Sequence, residues 1–246
     1  MGVAYDGSAF HGFALQPGLR TVAGILSEAL EKVLRHRVVL TGAGRTDRGV
    51  HARGQVVTFD ASAARFEPAH LQRRLNKLCG PSLAVWDVRQ AAPHFDARFS
   101  ARSRSYRYTI LNRAVPDPMR AAKTWHIPAR LDIAALRIGT DPLIGEHDFS
   151  SFCRRPKTGP GERPASLVRA VFHAGWVEEG DSVLRFEISA NAFCHQMVRS
   201  LVGTLVDMGL GRVRPGEMLS IMRAADRGVA RNVAPANGLS LWEVGY

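Results

Sequence analysis

The feature that most limits the fold is the order in which hydrophobic periodicity switches over about the first 90 residues. A short apolar strand at Val3 to Tyr5 leads into the loop DGSAFHGFALQPGLR. In TVAGILSEALEKVLRH, Val22, Ile25, Leu26, Ala29, Leu30, Val33 and Leu34 recur at helical spacing, with Thr21 placed to cap the helix. VVLT then reads as a strand, and QVVTFD alternates as another. PAHLQRRLNKLC predicts a second helix opened by Pro68, and LAVWDV a fourth strand. Strand, helix, strand, strand, helix, strand is the order of a ferredoxin-like, split βαβ unit.

The second half repeats this alternation with longer insertions. ARSRSYRYTILN reads as a strand and DIAALRIG as a helix capped by Asp132. SLVRAVFHAGWV and SVLRFEISA flank EEGD as a hairpin. FCHQMVRSLVGTLVDMG predicts an amphipathic helix ending at Gly209, PGEMLSIMRAA a further helix, and LSLWEVGY a closing strand. CRRPKTGPGERPA is a loop by its prolines and glycines. The expected fold is therefore α+β: two ferredoxin-like (RRM-like) domains with largely antiparallel sheets, divided as 1–103 and 104–246.

Composition narrows the partners. The 246 residues are 46% hydrophobic and 22% charged, which suits a globular chain able to bury a core without staples. Net charge is +11, and residues 1–110 carry 16 basic against 8 acidic side chains. A polyanion such as nucleic acid is the natural partner for that excess, although a merely soluble basic protein shares it. Three widely spaced cysteines without CxxC read as free thiols in a reducing cytosol. Nine scattered histidines without HExxH or HxxxH give no metal site. No apolar run is long enough for a membrane span, and MGVAYDGS has no signal-peptide character, so a cytoplasmic protein is expected.

Three stretches carry candidate chemistry. GAGRTDRGVHARG sets Asp47 among Arg45, Arg48 and Arg53 in a glycine-rich loop after a strand. Nearby cations favour the ionised form of a carboxylate, the form a nucleophile needs, while an ordinary Arg–Asp turn would use the same residues. A dinucleotide loop is disfavoured, since Asp47 stands where the third glycine is required. In FDARFSARSRSYRYTI, an extended chain puts Arg98, Arg102, Arg104, Tyr106 and Tyr108 on one face, suited to phosphates and stacked bases or to a solvated sheet face. Arg199 is the one formal charge between Phe193 and Val206, so it either snorkels or meets a buried carboxylate, with His195 one helical turn earlier. His51, four residues after Asp47, permits an Asp–His pair, but no G-x-S-x-G or Walker A motif accompanies it.

YDGSAFHGFALQPGLRTV, GRTDRGVHARGQV, FDARFSARSRSYRYTI, FCHQMVRSLVGTLVDMG and a terminal GLSLWEVGY occur in that order. Together they resemble the tRNA pseudouridine synthase A family along almost the whole chain. The resemblance implies a pseudouridine synthase fold with its two domains joined across a central cleft. It also implies conversion of uridine to pseudouridine in the anticodon stem-loop of tRNA, by a homodimer, with no cofactor and no membrane. The family's catalytic aspartate falls on Asp47, its substrate tyrosine on Tyr106, its active-site arginine on Arg199 and its apolar residue under the base on Leu239. Arg45, Arg104 and His51, in the same motifs, join Tyr106 and Leu239 as candidate substrate-binding residues. Two departures bear on RNA contact: Arg48 stands where alanine is usual, and GFALQ replaces a tryptophan-containing loop. The chain also starts almost at YDG, which shortens the first strand. A non-catalytic pair of RRM-like domains and an Asp47–His51 hydrolase are the competing readings. The first leaves Asp47 unexplained, and the second leaves the basic strand unexplained.

Overall fold

The computed structural model describes residues 1–61, 67–155, 159, 165–230 and 232–246. The elements are β1 (Gly2–Tyr5), α1 (Val22–Leu34), β2 (Leu40–Gly42), β3 (His51–Phe59), α2 (Pro68–Cys79), β4 (Leu83–Trp86) and β5 (Ser103–Asn112). They continue with β6 (Trp125–Ile127), α3 (Ile133–Thr140), β7 (Gly145–Asp148), β8 (Val168–Glu179), β9 (Val183–Ala190), α4 (Met197–Gly209), α5 (Met218–Arg223) and β10 (Leu239–Gly245). The chain forms two compact units, Met1–Arg102 with Ser240–Tyr246, and Ser103–Leu239. The first crossing falls between residues 102 and 103. The terminal strand, expected in the second domain, belongs from Ser240 onward to the first unit. Its pairing explains this: Ser240 and Leu241 sit parallel to His51 and Ala52 of β3.

The first four strands of the first unit run β4-β1-β3-β2, each antiparallel to the next. The Thr21 side chain caps α1 by accepting from Gly24 N at 3.2 Å, and Val22, Leu26 and Leu30 turn inward at helical spacing. Pro68 opens α2, which buries Leu71, Leu75 and Cys79. Asn76 ties α2 to β4: its amide nitrogen donates to Val85 O at 2.8 Å, and its Oδ1 accepts from Val85 N at 2.8 Å. The third strand is longer than expected, because His51 to Gly54, read as the end of the glycine-rich loop, are already extended. A Cβ at Gly54 would lie 2.3 Å from Trp242 O, so the close approach of β10 requires glycine there.

In the second unit β5, β9, β8 and β7 are successive antiparallel neighbours, and β6 runs parallel to the end of β5. Helix α4 differs from its expected form. It begins only at Met197, and eleven of its thirteen residues are buried, with Arg199 and Asp207 half-buried on its polar side. Close crossings demand this. A Cβ at Gly203 would lie 2.3 Å from Asn232 O, and one at Gly139 of α3 would lie 2.5 Å from Met208 Sδ. Residues 98 and 102 are also corrected, since β5 begins only at Ser103. The Asp96 carboxylate captures Arg98 N at 2.7 Å and Phe99 N at 2.8 Å, holding that segment in a turn. Most of the expected loop at 153–165 lies outside the described residues.

Candidate active site

Asp47 occupies a loop, residues 43–50, whose frame is buried while its tip is open. Ala43, Thr46 and Val50 are buried, Asp47 is half-buried, and Arg45 and Arg48 are exposed. Gln55 of β3, fully buried, braces the loop's entry. Its amide nitrogen donates to Gly44 O at 2.7 Å, and its Oε1 accepts from Gly44 N at 3.3 Å and Val56 N at 3.2 Å. Thr46 is held twice: its Oγ1 shares a 2.7 Å hydrogen bond with the Tyr5 hydroxyl, and its carbonyl accepts from Phe13 N at 3.0 Å. A turn closes the exit, with Val50 N donating to Asp47 O at 3.1 Å and Gly49 at φ +80°. Gly12, at φ +97°, passes so close that a Cβ would sit 2.9 Å from Thr46 O.

Of the other first-unit candidates, Arg45 is presented to solvent and His51 is not. His51 is 7% exposed, and its Nδ1 accepts from Gly7 N at 3.0 Å. The carboxylate beside that nitrogen, at 3.2 Å, belongs to Asp6. A Cβ at Gly7 would lie 2.1 Å from Val50 O, so this corner needs glycine to bring the two segments together. Two residues along β3, exposed Arg53 lies over the Trp242 ring at 4.6 Å.

The remaining candidates belong to the second unit. Tyr106 and Tyr108 share a face of β5, as alternation requires, but the face looks inward: they are 9% and 0% exposed. Tyr108 is an anchor of the core. Its hydroxyl donates to Pro235 O at 2.8 Å, and burial pushes its ionisation well above the usual tyrosine range. Tyr106 instead meets Phe193 edge to face at 5.0 Å. Arg104, at the start of the same strand, donates to Asn191 O at 2.9 Å. Arg199 lies on the first turn of α4, half-buried; its Nε donates to Ala234 O at 2.7 Å and its carbonyl accepts from Ala234 N at 3.0 Å. His195 precedes α4, so it does not share a helical face with Arg199. Leu239, the first residue of β10, is 6% exposed, and a Cβ on the preceding Gly238 would lie 2.6 Å from the Tyr108 ring.

The segment between β9 and α4 is fixed by residues the sequence did not flag. Gln196 adopts φ +66°, and its Oε1 accepts from Arg227 at 2.6 Å; Arg227 also donates to Phe152 O at 3.3 Å. The expectation of three free thiols is corrected. Cys153 and Cys194 are joined, with their Cα atoms 5.7 Å apart, and Cys79 is the free, buried cysteine. Arg154 N donates to His195 O at 2.9 Å, which lays the two segments side by side.

Chemically, the first unit offers the half-buried Asp47 carboxylate on a hydrogen-bonded loop, and the second an aromatic ring, a cation and a buried apolar side chain. Among the described residues no helix is long and apolar enough to cross a membrane, and no group of three or more His, Cys, Asp or Glu side chains could hold a metal ion.

The chain is similar to known proteins along nearly its full length. Residues 1–100 and 141–246 match the family model described as tRNA pseudouridine synthase. A protein of Leifsonia xyli named tRNA pseudouridine synthase A is 40% identical, covering 99% of this chain and 90% of its own. Proteins of the same name from Exiguobacterium sibiricum and Bacillus subtilis are each 37% identical, covering 99% of this chain and 94% and 97% of theirs. A two-part family match spanning most of the chain, together with this identity over full-length relatives, places the chain in the tRNA pseudouridine synthase family.

Proposed function

We propose that this isomerase converts uridine to pseudouridine in the anticodon stem-loop of tRNA, with Asp47 as nucleophile and without a cofactor. Each unit is read as a ferredoxin-like half, a reading supported in the first by its antiparallel β4-β1-β3-β2 order. The reaction breaks the bond between the ribose C1′ and N1 of uracil, turns the base and joins C1′ to C5. The C5 proton leaves and N1 gains one, so atoms balance with no oxidant or added group. The target base must first leave its stack, at a cost of roughly a few kcal/mol. The ionised Asp47 attacks either the sugar or the ring. Arg199 supplies the cation of the reaction, Tyr106 stacks on the base, Leu239 floors it, and Arg45 and Arg104 take phosphates. Arg48 and the +8 of residues 1–110 add to RNA attraction. The working form is a cytoplasmic homodimer.

The observation that carries this reading is Asp47 itself: a half-buried carboxylate on a loop whose neighbouring Thr46 is buried and hydrogen-bonded and whose entry is braced by buried Gln55. The test is tritium release from tRNA transcripts labelled at C5 of uridine, with chelator present. Release confined to transcripts with an anticodon-arm uridine, and yielding pseudouridine, supports the proposal. Release from other arms alone, or none, contradicts it.

A further inference from the structure

We infer that Tyr5 and Thr46 are positioning residues for Asp47: their buried hydroxyl pair sets the direction of the nucleophile's loop. This rests on the reading of Asp47 as nucleophile. The contact joins β1 to the residue immediately before Asp47, 41 positions apart, at 2.7 Å. Tyr5 is 5% exposed and Thr46 6%, and the Tyr5 ring is fixed edge-on to Phe10 at 6.2 Å. The hydroxyl therefore has little freedom, and neither does the Thr46 side chain that meets it.

Stability alone does not account for the pair. Burying two hydroxyls costs desolvation that their mutual bond only about repays, whereas Phe and Val of similar shape would fill the same space without that cost. What the polar pair adds is direction. A hydroxyl contact is angular, and it acts on Thr46 together with the Phe13 N–H on the Thr46 carbonyl and the Gln55 clamp on Gly44. Three fixed points within residues 44–46 set the direction in which the backbone presents the Asp47 side chain. A nucleophile misplaced by about 1 Å can lose orders of magnitude in rate, so such a frame is worth its cost. Burial pushes the Tyr5 hydroxyl up to about 12, so it stays protonated and bonded across neutral pH.

The test is a double-mutant cycle on Tyr5→Phe and Thr46→Val, with Thr46→Ser as rescue and Asp47→Asn as reference. Steady-state kinetics use a tRNA substrate, and thermal unfolding checks the fold. The expected result is a roughly tenfold fall in kcat for each single variant, with KM unchanged. The double variant should fall little below Tyr5→Phe alone, since that change already breaks the contact Thr46→Val removes, together with the Tyr5 hydroxyl's bond to Gln55. Thr46→Ser, which keeps the hydroxyl, should recover most of kcat. Wild-type kcat in either folded single variant overturns the inference, even where Tm falls, and so do losses that multiply in the double variant. If Tyr5→Phe does not fold, Thr46→Val against Thr46→Ser decides alone: equal kcat overturns the inference, and loss with rescue upholds it. An active Asp47→Asn would instead sink the underlying reading, independently of the cycle.

Discussion

The candidate residues of the first unit and those of the second are held by different physics. Around Asp47 the frame is polar: Tyr5, Thr46 and Gln55 are buried and fix the loop through hydrogen bonds. Around Tyr106 and Arg199 the frame is largely apolar: an aromatic edge contact, a mostly buried helix and glycines that admit neighbouring backbone. The difference teaches where each group is vulnerable. The first should fail on removal of a single hydroxyl with volume conserved, and the second on a change of volume or loss of a cation.

Arg199→Met breaks the second group most severely. The aliphatic stem is kept and the charge lost, so kcat should fall by about a hundredfold, the usual scale for one stabilising donor. The buried Ala234 carbonyl also loses its 2.7 Å donor, so stability should drop by about 1–3 kcal/mol, read by thermal unfolding. Arg199→Lys keeps the charge without the planar fork and should fall between. Near-normal turnover for both would make Arg199 a packing residue only.

Tyr106 sharpens the comparison. Tyr106→Leu discards the ring that meets Phe193 and should lower kcat roughly tenfold, on the scale of a lost base-stacking contact. Tyr106→Phe should keep most of it. Loss with Phe as well would assign chemistry to the hydroxyl. Tyr108→Phe is the control on the same face: it loses the bond to Pro235 O, about 1 kcal/mol of stability, and no kcat.

The smallest effect is invisible at neutral pH. The Tyr5 hydroxyl is raised to about 12 by burial, against 10 when exposed. Its contribution to stability is complete below pH 10 and is lost as pH rises through 12, because the unfolded chain ionises first. The stability difference between wild type and Tyr5→Phe, followed by denaturant unfolding, should therefore be flat to about pH 9.5 and shrink above it. A constant difference to pH 12 would show that the hydroxyl is not shielded.

Local rules carried much of the first unit. Thr21 and Pro68 announce their helices because capping and proline geometry act within a single turn. Asp47 stood out because a carboxylate among arginines and glycines is locally odd. What escaped was non-local. The pairing of β10 with β3 joins residues nearly 190 positions apart, and no periodicity in either strand announces its partner. The start of α4 was hidden because the helical pattern runs on through Phe193 to Gln196, and only the left-handed backbone of Gln196, at φ +66°, stops the helix at Met197. The Cys153–Cys194 bond depends on two segments laid together by a backbone contact. Tyr5, Thr46 and Arg227 are ordinary polar residues until the fold buries their partners. Gln55 alone left a trace: it stands in phase with inward-facing Val57 on β3, a polar residue where the alternation calls for an apolar one.

The most direct measurement is tritium release by Asp47→Asn on C5-labelled tRNA, with RNA binding and circular dichroism followed in parallel. The substitution keeps the shape of the side chain and removes its charge. The predicted result is a folded protein that binds tRNA with near wild-type affinity and releases no tritium above background, a loss of about a thousandfold or more. Release at more than a few per cent of the wild-type rate from the folded variant would contradict Asp47 as the nucleophile.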